Sequence, residues 1–373
     1  MPHGNHREEL PEGPIHNPDD IRDTPYNMPS GFVWGLVNVH DDAQLQDLYK
    51  LLSHNYVEDD DALFRFDYSP EFLLWALTPP GYYPDMLLGV KSEKTGKLVA
   101  FISGVPAMLQ AYQKSVKVVE INFLCVHKKL RSKRLAPVLI KEMTRRANLA
   151  GIFQAVYTAG TVLPVPVSSA RYYHRSLHPK KLLKVGFSRL PPNGRMTVAR
   201  MCKIYALPEQ PVTPGLRPMT VDDVSSVQQL LTTYLQKFDL KVDYTTEEVQ
   251  HWFVPRDKVI DSYVACDNNG KVTDFVSFYH LPSSILNHDQ ETLYAAYSYY
   301  NVATTVPLEQ LYKDALILAK SQGSDVFNAL DLMDNRPTFE ALKFGIGDGT
   351  LQYYIYNWSC PEMKAPQVGL VLL

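Results

Sequence analysis

Residues 120–136 read EINFLCVHKKLRSKRLA, and this stretch decides the fold. Its first part is an apolar, β-prone run, and a helix is predicted to begin at about residues 134–137 and to end near Leu149. Five cations lie between them, at Lys128, Lys129, Arg131, Lys133 and Arg134. The free N–H groups of a helix N-terminus and nearby cations together favour phosphate binding. The stretch therefore predicts an anion site in an α/β fold, with a solvated basic loop or a nuclear-localisation signal as the alternative.

Outward from this stretch, one order of predicted elements occurs twice. The first half has helices at 41–57 and 71–77, strands near 86–90, 97–105 and 116–126, the helix to 149, and a strand at 153–158. The second half has helices at 221–237 and 247–253, strands near 259–265, 272–279 and 292–299, a helix at 308–322, and a strand at 325–330. Corresponding elements lie roughly 170–175 residues apart, which predicts two similar domains. We expect a tail or wrapping arm at 1–25, a first half at 26–206, and a second half at 207–373 that begins with a Pro-rich joint.

The composition excludes several classes of protein. The chain has 373 residues, of which 45% are hydrophobic and 21% charged, so it is long enough for two cores and is neither fibrous nor disordered. A net charge of -3 argues against nucleic acid or a membrane surface as a partner of the whole molecule. The four cysteines are scattered without metal-ligand spacing, and there is no signal peptide or membrane span. We expect a soluble cytoplasmic protein that binds no metal.

Three strands, a helix and a further strand resemble the acyl-CoA-binding half of the GCN5-related N-acetyltransferases. In that superfamily the turn before the helix has the pattern Gln/Arg-x-x-Gly-x-Gly/Ala. Residues 131–136 match both ends of the pattern, and Arg134 replaces the middle glycine. The resemblance implies a mixed sheet and two pseudo-symmetric halves in one compact, saddle-shaped unit.

A closer resemblance extends from about residue 26 to residue 373. The stretch 120–136 is similar to a signature of the glycylpeptide N-tetradecanoyltransferases, or N-myristoyltransferases, and KFGIGDG at 343–349 is similar to a second one. FRFDYSP at 64–70 and Ala159-Gly160 after Tyr157-Thr158 also match. Without the family, the glycines of 345–349 would indicate only a tight turn. The resemblance implies a monomer that transfers a C14 acyl group from myristoyl-CoA, its co-substrate, to the N-terminal glycine of proteins, without a permanently bound cofactor.

The resemblance also implies which residues bind the acyl donor. They are Phe123, Leu124, Cys125, Val126, Lys128, Lys129, Arg131, Ser132, Lys133, Arg134, Leu135 and Ala136. The backbone N–H groups of Phe123 and Leu124 would form the oxyanion hole, although by themselves these residues indicate only a core strand. The family also has a Phe-Trp followed by Thr-Gln-Pro-Val-Pro, which does not precede Tyr26 here. We therefore expect part of the cover over the donor to be missing.

The general base is expected at the chain end. The resemblance implies that the carboxylate of Leu373 accepts the proton of the substrate amine and that Thr158 helps to hold that amine. The ending VGLVLL is apolar, which favours burial, although an apolar strand end without a catalytic role is the alternative. An ordinary α-carboxyl is about four pKa units more acidic than an N-terminal ammonium, so full transfer in water would cost roughly 6 kcal/mol. Burial narrows this gap.

The peptide site has a similar basis. The acidic run 57–61, VEDDD, would meet basic residues downstream of the substrate glycine, whereas a solvated helix end is the alternative. The family positions are Tyr56, Val57, Asp59, Asp61, Phe64, Phe66, Tyr68, Asn122, Thr158, Tyr172, His174, Phe187, Ser283, Tyr297 and Asp348. His174 alone would equally well be a core histidine bonded to the backbone.

Two other functions stay open at this stage. A short-chain N-acetyltransferase of the same superfamily would need only a small acyl pocket. A non-catalytic peptide-binding relative would keep the aromatic groove and lose the terminal carboxylate or the oxyanion geometry. The apolar ending at Leu373 argues against this last function.

Overall fold

The computed structural model describes residues 11–288 and 291–373. The helices are α1 Asp42–Asn55, α2 Pro70–Leu77, α3 Leu135–Leu149, α4 Pro179–Lys184, α5 Val198–Ile204, α6 Val224–Leu235, α7 Thr246–Phe253, α8 Leu308–Ser321 and α9 Arg336–Phe339. The first strands are β1 Gly13–Pro14, β2 Phe32–Leu36, β3 Phe64–Phe66, β4 Leu87–Ser92, β5 Leu98–Ala111, β6 Lys114–Val126, β7 Gln154–Ala159, β8 Ser168–Ser176, β9 Arg217–Pro218 and β10 Leu240–Val242. The others are β11 Ile260–Cys266, β12 Val272–His280, β13 Ser283–Ile285, β14 Thr292–Leu293, β15 Ala295–Ser298, β16 Val302–Ala303, β17 Val326–Leu330, β18 Gly345–Tyr356, β19 Trp358–Ser359 and β20 Val368–Gly369.

The predicted duplication is visible in the order of these elements. The first half runs α1, α2, β4, β5, β6, α3, β7, and the second runs α6, α7, β11, β12, β15, α8, β17. Local signals explain the helix starts. The Asp41 side chain accepts the N–H of Gln44 at the start of α1, and Ser69 accepts that of Phe72 at the start of α2. The mixed α/β class is confirmed, and the same order of elements occurs twice along the chain.

One large sheet joins the halves because they exchange strands. Its order is β2-β4-β5-β6-β7-β18-β8-β17-β15-β12-β11-β9. The late strand β18 pairs with β7, and the early strand β8 pairs with β17. The boundary between the halves at residue 206 therefore stays a prediction, because the large sheet contains strands from both sides of that boundary.

The hydrophobic core places the site between the halves. Helix α3 packs on one face of the first-half sheet, where Leu139 and Met143 contact the cluster around Ile102. On the other face, helices α1, α2, α6 and α7 share a single buried cluster with Phe123 and Val371. The chain end thus reaches the face of β6 that carries the catalytic candidates.

Several expectations require correction. The run 345–349 is part of strand β18 rather than a turn, and β8 is a strand to which no element was assigned. The strand expected at 292–299 is divided into β14 and β15. The predicted tail or wrapping arm at 1–25 stays a prediction, and its residues 1–10 lie outside the described residues. Residues 13–14 pair with β19, and the Tyr26 N–H donates to Glu142 on α3 (3.1 Å). None of the described helices is both long and apolar enough to cross a bilayer.

Candidate active site

The site begins with a bulge in β6. Ser103 of β5 pairs with Asn122 and Phe101 pairs with Cys125, so the single residue Ile102 faces both Phe123 and Leu124. Two residues opposite one define a β-bulge, which turns backbone groups away from the ladder. Phe123 has φ +56°, and its N–H donates to Oδ1 of Asn122 (2.8 Å) instead of to β5. The two residues predicted to form the oxyanion hole are thus those of the bulge.

The pairing of β6 with β7 ends before this bulge. Strands β6 and β7 are parallel and pair from Val118 opposite Gln154 to Glu120 opposite Val156. Beyond the last pair, β6 continues to the bulge and β7 continues to Thr158. On its other side Thr158 pairs with Tyr353 of β18. Thr158 is therefore held by β18 in the part of β7 that lies beyond its pairing with β6.

The chain end lies in the same place. Nδ2 of Asn122 donates to a terminal oxygen of Leu373 (2.5 Å), and the Tyr56 hydroxyl donates to Oδ1 of Asn122 (3.4 Å). Leu373, Asn122 and Phe123 line one cavity together with Ser103 and Glu120. The predicted base is thereby joined to the predicted oxyanion donors through one asparagine.

The loop at 127–134 is called the donor loop here, because it is predicted to bind the acyl donor. It has the geometry of an anion site. Residues Lys128–Lys133 form a 3-10 turn, and α3 then begins at Leu135 without a side-chain cap. Arg134 adopts the left-handed conformation (φ +58°), which glycine takes up readily and residues with a Cβ rarely do. A cleft next to this loop is lined by Leu124, Cys125, Val126, Arg131, Arg134 and Ala136, and on its other side by Tyr56 and Val57.

The cations of this loop divide into two groups. Lys128 pairs with Glu58 (2.6 Å), and Arg131 donates to the carbonyl of Asn55 (2.7 Å), so both fasten the loop to the end of α1. Lys129, Lys133 and Arg134 are exposed and belong to none of the ion pairs in the described part of the chain. Ser132 is also exposed, whereas Leu135, the first residue of α3, is buried. These three cations are the ones available to an anionic ligand.

The predicted peptide residues form a continuous aromatic wall. Tyr68 packs edge-on against Phe123 (5.0 Å between ring centroids) and also contacts Tyr56 and Phe66. Phe64 packs against Phe187 (5.9 Å). Strand β3, which carries Phe64 and Phe66, pairs with β13 of the second half at Ser283. The aromatic wall is therefore built from both halves, and it reaches the bulge at Phe123.

The far end of this wall is polar. Nδ1 of His174 lies 2.5 Å from Oδ1 of Asn328, and its ring stacks near Tyr172. Burial lowers the pKa of His174, although the Asn328 bond and the charge of Asp348 oppose the shift. Burial also raises the pKa of Tyr297 to about 12. Both shifts favour the uncharged form of the side chain.

Comparison with known proteins decides the family. The N-terminal domain of the family described as Myristoyl-CoA:protein N-myristoyltransferase matches residues 13–170, and its C-terminal domain matches residues 184–371. The chain belongs to this family. The family resemblance found in the sequence is thereby confirmed. The prediction that the chain is an acyltransferase is confirmed with it.

Its relatives agree with this membership. The glycylpeptide N-tetradecanoyltransferase of Drosophila melanogaster is 55% identical over 355 residues, which are 95% of this chain and 75% of the relative. Glycylpeptide N-tetradecanoyltransferase 2 of Bos taurus is 56% identical, covering 95% and 71% of the two chains. The N-myristoyltransferase of Saccharomyces cerevisiae, solved with bound myristoyl-CoA, superposes with a TM-score of 0.93 at 43% identity over 97% of this chain and 91% of that one.

The lack of a side chain at Gly347 leaves room for the ring of His174. A Cβ on Gly347 would lie 2.5 Å from Nε2 of His174 and 2.9 Å from the carbonyl oxygen of Tyr172, whereas one on Gly345 would meet nothing closer than 3.9 Å. We expect Gly347→Ala to displace His174 and to raise the peptide KM about 10-fold. Gly345→Ala should leave it unchanged. Steady-state kinetics with varied peptide checks this, and equal peptide KM values for the two variants would contradict it.

The acidic run is only partly free. Oδ1 of Asp59 accepts the N–H groups of Leu63 (2.7 Å) and Phe64 (2.8 Å), so its first task is to close the turn before β3. Glu58 is engaged by Lys128 and by Arg65. Asp61 is exposed and belongs to none of the ion pairs among the described residues. Of the two carboxylates predicted to meet the peptide, Asp61 is thus the available one.

Several residues near the chain end carried no sequence signal. Loss of solvent around Glu120 raises the pKa of its carboxyl to about 8, and the charge of Glu248 adds to the shift. Tyr300 and Tyr353 are fully buried and hydrogen-bond to the last residues of the chain.

Burial raises the pKa of Cys125 to about 12 against the charge of Arg131, so this thiol is a poor nucleophile. No group of three or more potential metal ligands occurs within residues 11–288 and 291–373.

Proposed function

We propose that this chain transfers the tetradecanoyl group of myristoyl-CoA to the N-terminal glycine of proteins, with the Leu373 carboxylate as general base. The observation that carries the proposal is the bond from Asn122 to a terminal oxygen of Leu373, directly beside the Phe123 bulge. A proton acceptor and the backbone amides of the bulge would thus meet at the inner end of the aromatic wall. Attack of an amine on a thioester needs both of these groups.

The donor would lie with its phosphates at the start of α3. Lys129, Lys133 and Arg134 are the cations that remain available there, and the uncapped N-terminus of the helix adds its own attraction for anions. The cleft from this loop passes Cys125 and Leu124 and leads to the bulge. A thioester oxygen at the bulge would take the Phe123 N–H that Asn122 now accepts.

The amine would arrive from the other side, along the aromatic wall. Thr158 would help to hold it at the edge of the cleft, and its proton would pass to the Leu373 carboxylate. The carbonyl carbon would then bond to nitrogen, and its oxygen would gain negative charge opposite the Phe123 and Leu124 amides. Loss of one such donor typically costs about 2.7–4 kcal/mol of transition-state stabilisation. The carbon–sulfur bond would then break, and the thiolate of CoA would leave with the second proton that the nitrogen loses as it becomes an amide.

Mass spectrometry tests this function directly. A peptide that begins with glycine is incubated with acetyl-, octanoyl- and tetradecanoyl-CoA, and the products are weighed. We expect the tetradecanoyl product to dominate, because each buried methylene contributes about 0.8 kcal/mol. The same peptide beginning with alanine should remain unmodified, because its Cβ would collide with the wall of the channel. Equal acetyl and tetradecanoyl transfer would favour the N-acetyltransferase, and binding without any product would favour the non-catalytic relative.

We also propose that the acidic run selects basic peptides. Asp61→Asn should weaken the binding of peptides with Lys or Arg downstream of the glycine about two- to five-fold, as is typical of an exposed charge pair. Peptides with neutral residues there should bind as before. Fluorescence anisotropy with both peptides measures the difference, and Asp47→Asn on the exposed side of α1 is the matched control. Equal losses for basic and neutral peptides would show that the run is not a recognition element.

A further inference from the structure

The last residues of the chain are fixed well before the terminus. Strand β20 pairs in parallel with β10, and Leu240 lies opposite Val368. A Cβ on Gly369 would lie 2.9 Å from Cβ of Phe238, so glycine lets the chain pass close to that ring. Residues 368–369 thus enter the interior as part of the sheet.

Two tyrosine hydroxyls take over where the strand ends. The Tyr353 hydroxyl donates to the carbonyl oxygen of Leu370 (2.8 Å). The N–H of Val371 donates to the hydroxyl oxygen of Tyr300 (3.0 Å), which also lies 3.1 Å from the hydroxyl of Tyr244. Both rings are fully buried. Consecutive residues of the chain end are therefore each bound to one tyrosine.

The framework in turn fixes these tyrosines. The N–H of Tyr300 donates to the Ser277 hydroxyl oxygen (2.9 Å), and that hydroxyl donates to the carbonyl of Tyr300 (2.7 Å), so the residue is clamped to β12. Tyr353 lies in β18 between Thr158 of β7 and Ser168 of β8. The backbone of Tyr353 thus pairs with Thr158, while its hydroxyl holds Leu370.

We propose that Tyr300 and Tyr353 are positioning residues that hold the Leu373 carboxylate where it can accept the proton of the substrate amine. This rests on the proposed function, in which that carboxylate is the base. A chain end frays unless it is tied down, and a general base works only within hydrogen-bond reach of the proton. The two hydroxyls hold residues 370 and 371, just before the terminal carboxylate that Asn122 holds.

Isosteric variants test the proposal. Tyr300→Phe and Tyr353→Phe each remove one hydroxyl and keep the ring. We expect kcat to fall about 10-fold in each, with KM for donor and peptide within twofold of the parent, because misplacement affects the proton transfer more than binding. Tyr312→Phe is the matched control, because Tyr312 is equally buried and its hydroxyl contacts Ser298 and Asn335 instead of the chain end. All variants are assayed below the melting temperature of each.

A second background separates positioning from a general structural role. In a chain that ends at Leu370, Val371 is absent, so Tyr300→Phe should leave the residual kcat unchanged. A 10-fold loss that persists in this shorter chain would overturn the proposal for Tyr300. If the shorter chain is inactive while both full-length Phe variants keep the parent kcat, the positioning proposal fails and the base assignment stands. If the shorter chain keeps full turnover, the base assignment fails and positioning falls with it.

Discussion

Removal of residues 371–373 is expected to lower kcat by about 10²–10⁴-fold while the protein still binds its acyl-CoA. The deletion removes the carboxylate that Asn122 holds and leaves the Phe123 bulge, the donor loop and most of the aromatic wall in place. The donor cleft lined by Arg131 and Arg134 does not include the chain end. Steady-state kinetics measures the loss, and calorimetric titration with myristoyl-CoA measures the retained affinity.

Two variants of the same chain separate the carboxylate from the side chain. Leu373→Met keeps the α-carboxylate and an apolar side chain of similar size, so kcat should change little. A chain ligated to carry a C-terminal amide keeps the shape and loses the charge, so it should match the deletion. A C-terminal tag with full turnover would refute the assignment.

The sequence predicts elements that have a simple period. Helix α1 follows from Leu45, Leu48 and Leu52 on one face, and all three are buried. Strand β18 was missed because its first part, GIGDGT, has no alternation and the glycines resemble a turn. Its place between β7 and β8 depends on strand exchange between distant parts of the chain, which no local pattern records.

The candidate site was accessible to sequence only through the family resemblance. A backbone N–H has no side-chain signature, so the bulge at Phe123 becomes visible only when Ile102 is seen opposite two residues. Tyr300 and Tyr353 are two of many tyrosines, and only the fold brings their hydroxyls to Leu370 and Val371. By contrast, the cations of the donor loop and the apolar chain end are local features of the sequence. The cations predict an anion site, and the apolar ending predicts that the chain end is buried.

The second half has a loop before α8 that corresponds to the donor loop before α3. In this loop the anion that binds the backbone amides is a side chain of the protein, the carboxylate of Asp274. Residues 304–307, TTVP, precede α8 and contain no cation. The Asp274 carboxylate accepts the N–H groups of Thr304 (2.9 Å) and Thr305 (3.0 Å) and the hydroxyls of Thr305 and Thr273. Asp274 is fully buried. The donor loop of the first half exposes three cations to solvent. In the corresponding loop of the second half, the buried Asp274 carboxylate binds the backbone amides instead.

Asp274→Ala is therefore expected to lower the free energy of unfolding by about 3 kcal/mol, because two backbone amides lose a charged acceptor. Asp267 accepts the amides of Asn269 (2.9 Å) and Lys271 (3.0 Å) in an exposed turn, and Asp267→Ala should cost less than about 1 kcal/mol because water replaces the carboxylate. Urea unfolding of both variants measures the difference. Equal losses would show that burial of Asp274 adds nothing.

The same carboxyl predicts a dependence on pH. Burial alone would raise the pKa of Asp274, but the bonds from Thr305, Thr304 and Thr273 outweigh it and lower the pKa below its ordinary value. The folded state therefore binds this proton less readily than the unfolded chain does. The contribution of Asp274 is fully present above about pH 4, the ordinary range of an aspartate, and is lost as the pH falls below it towards the folded-state pKa. In urea titrations, the stability difference between the parent and Asp274→Ala should shrink on acidification, and a difference that stays constant from neutral pH down to about pH 3 would contradict the ionised, hydrogen-bonded carboxylate.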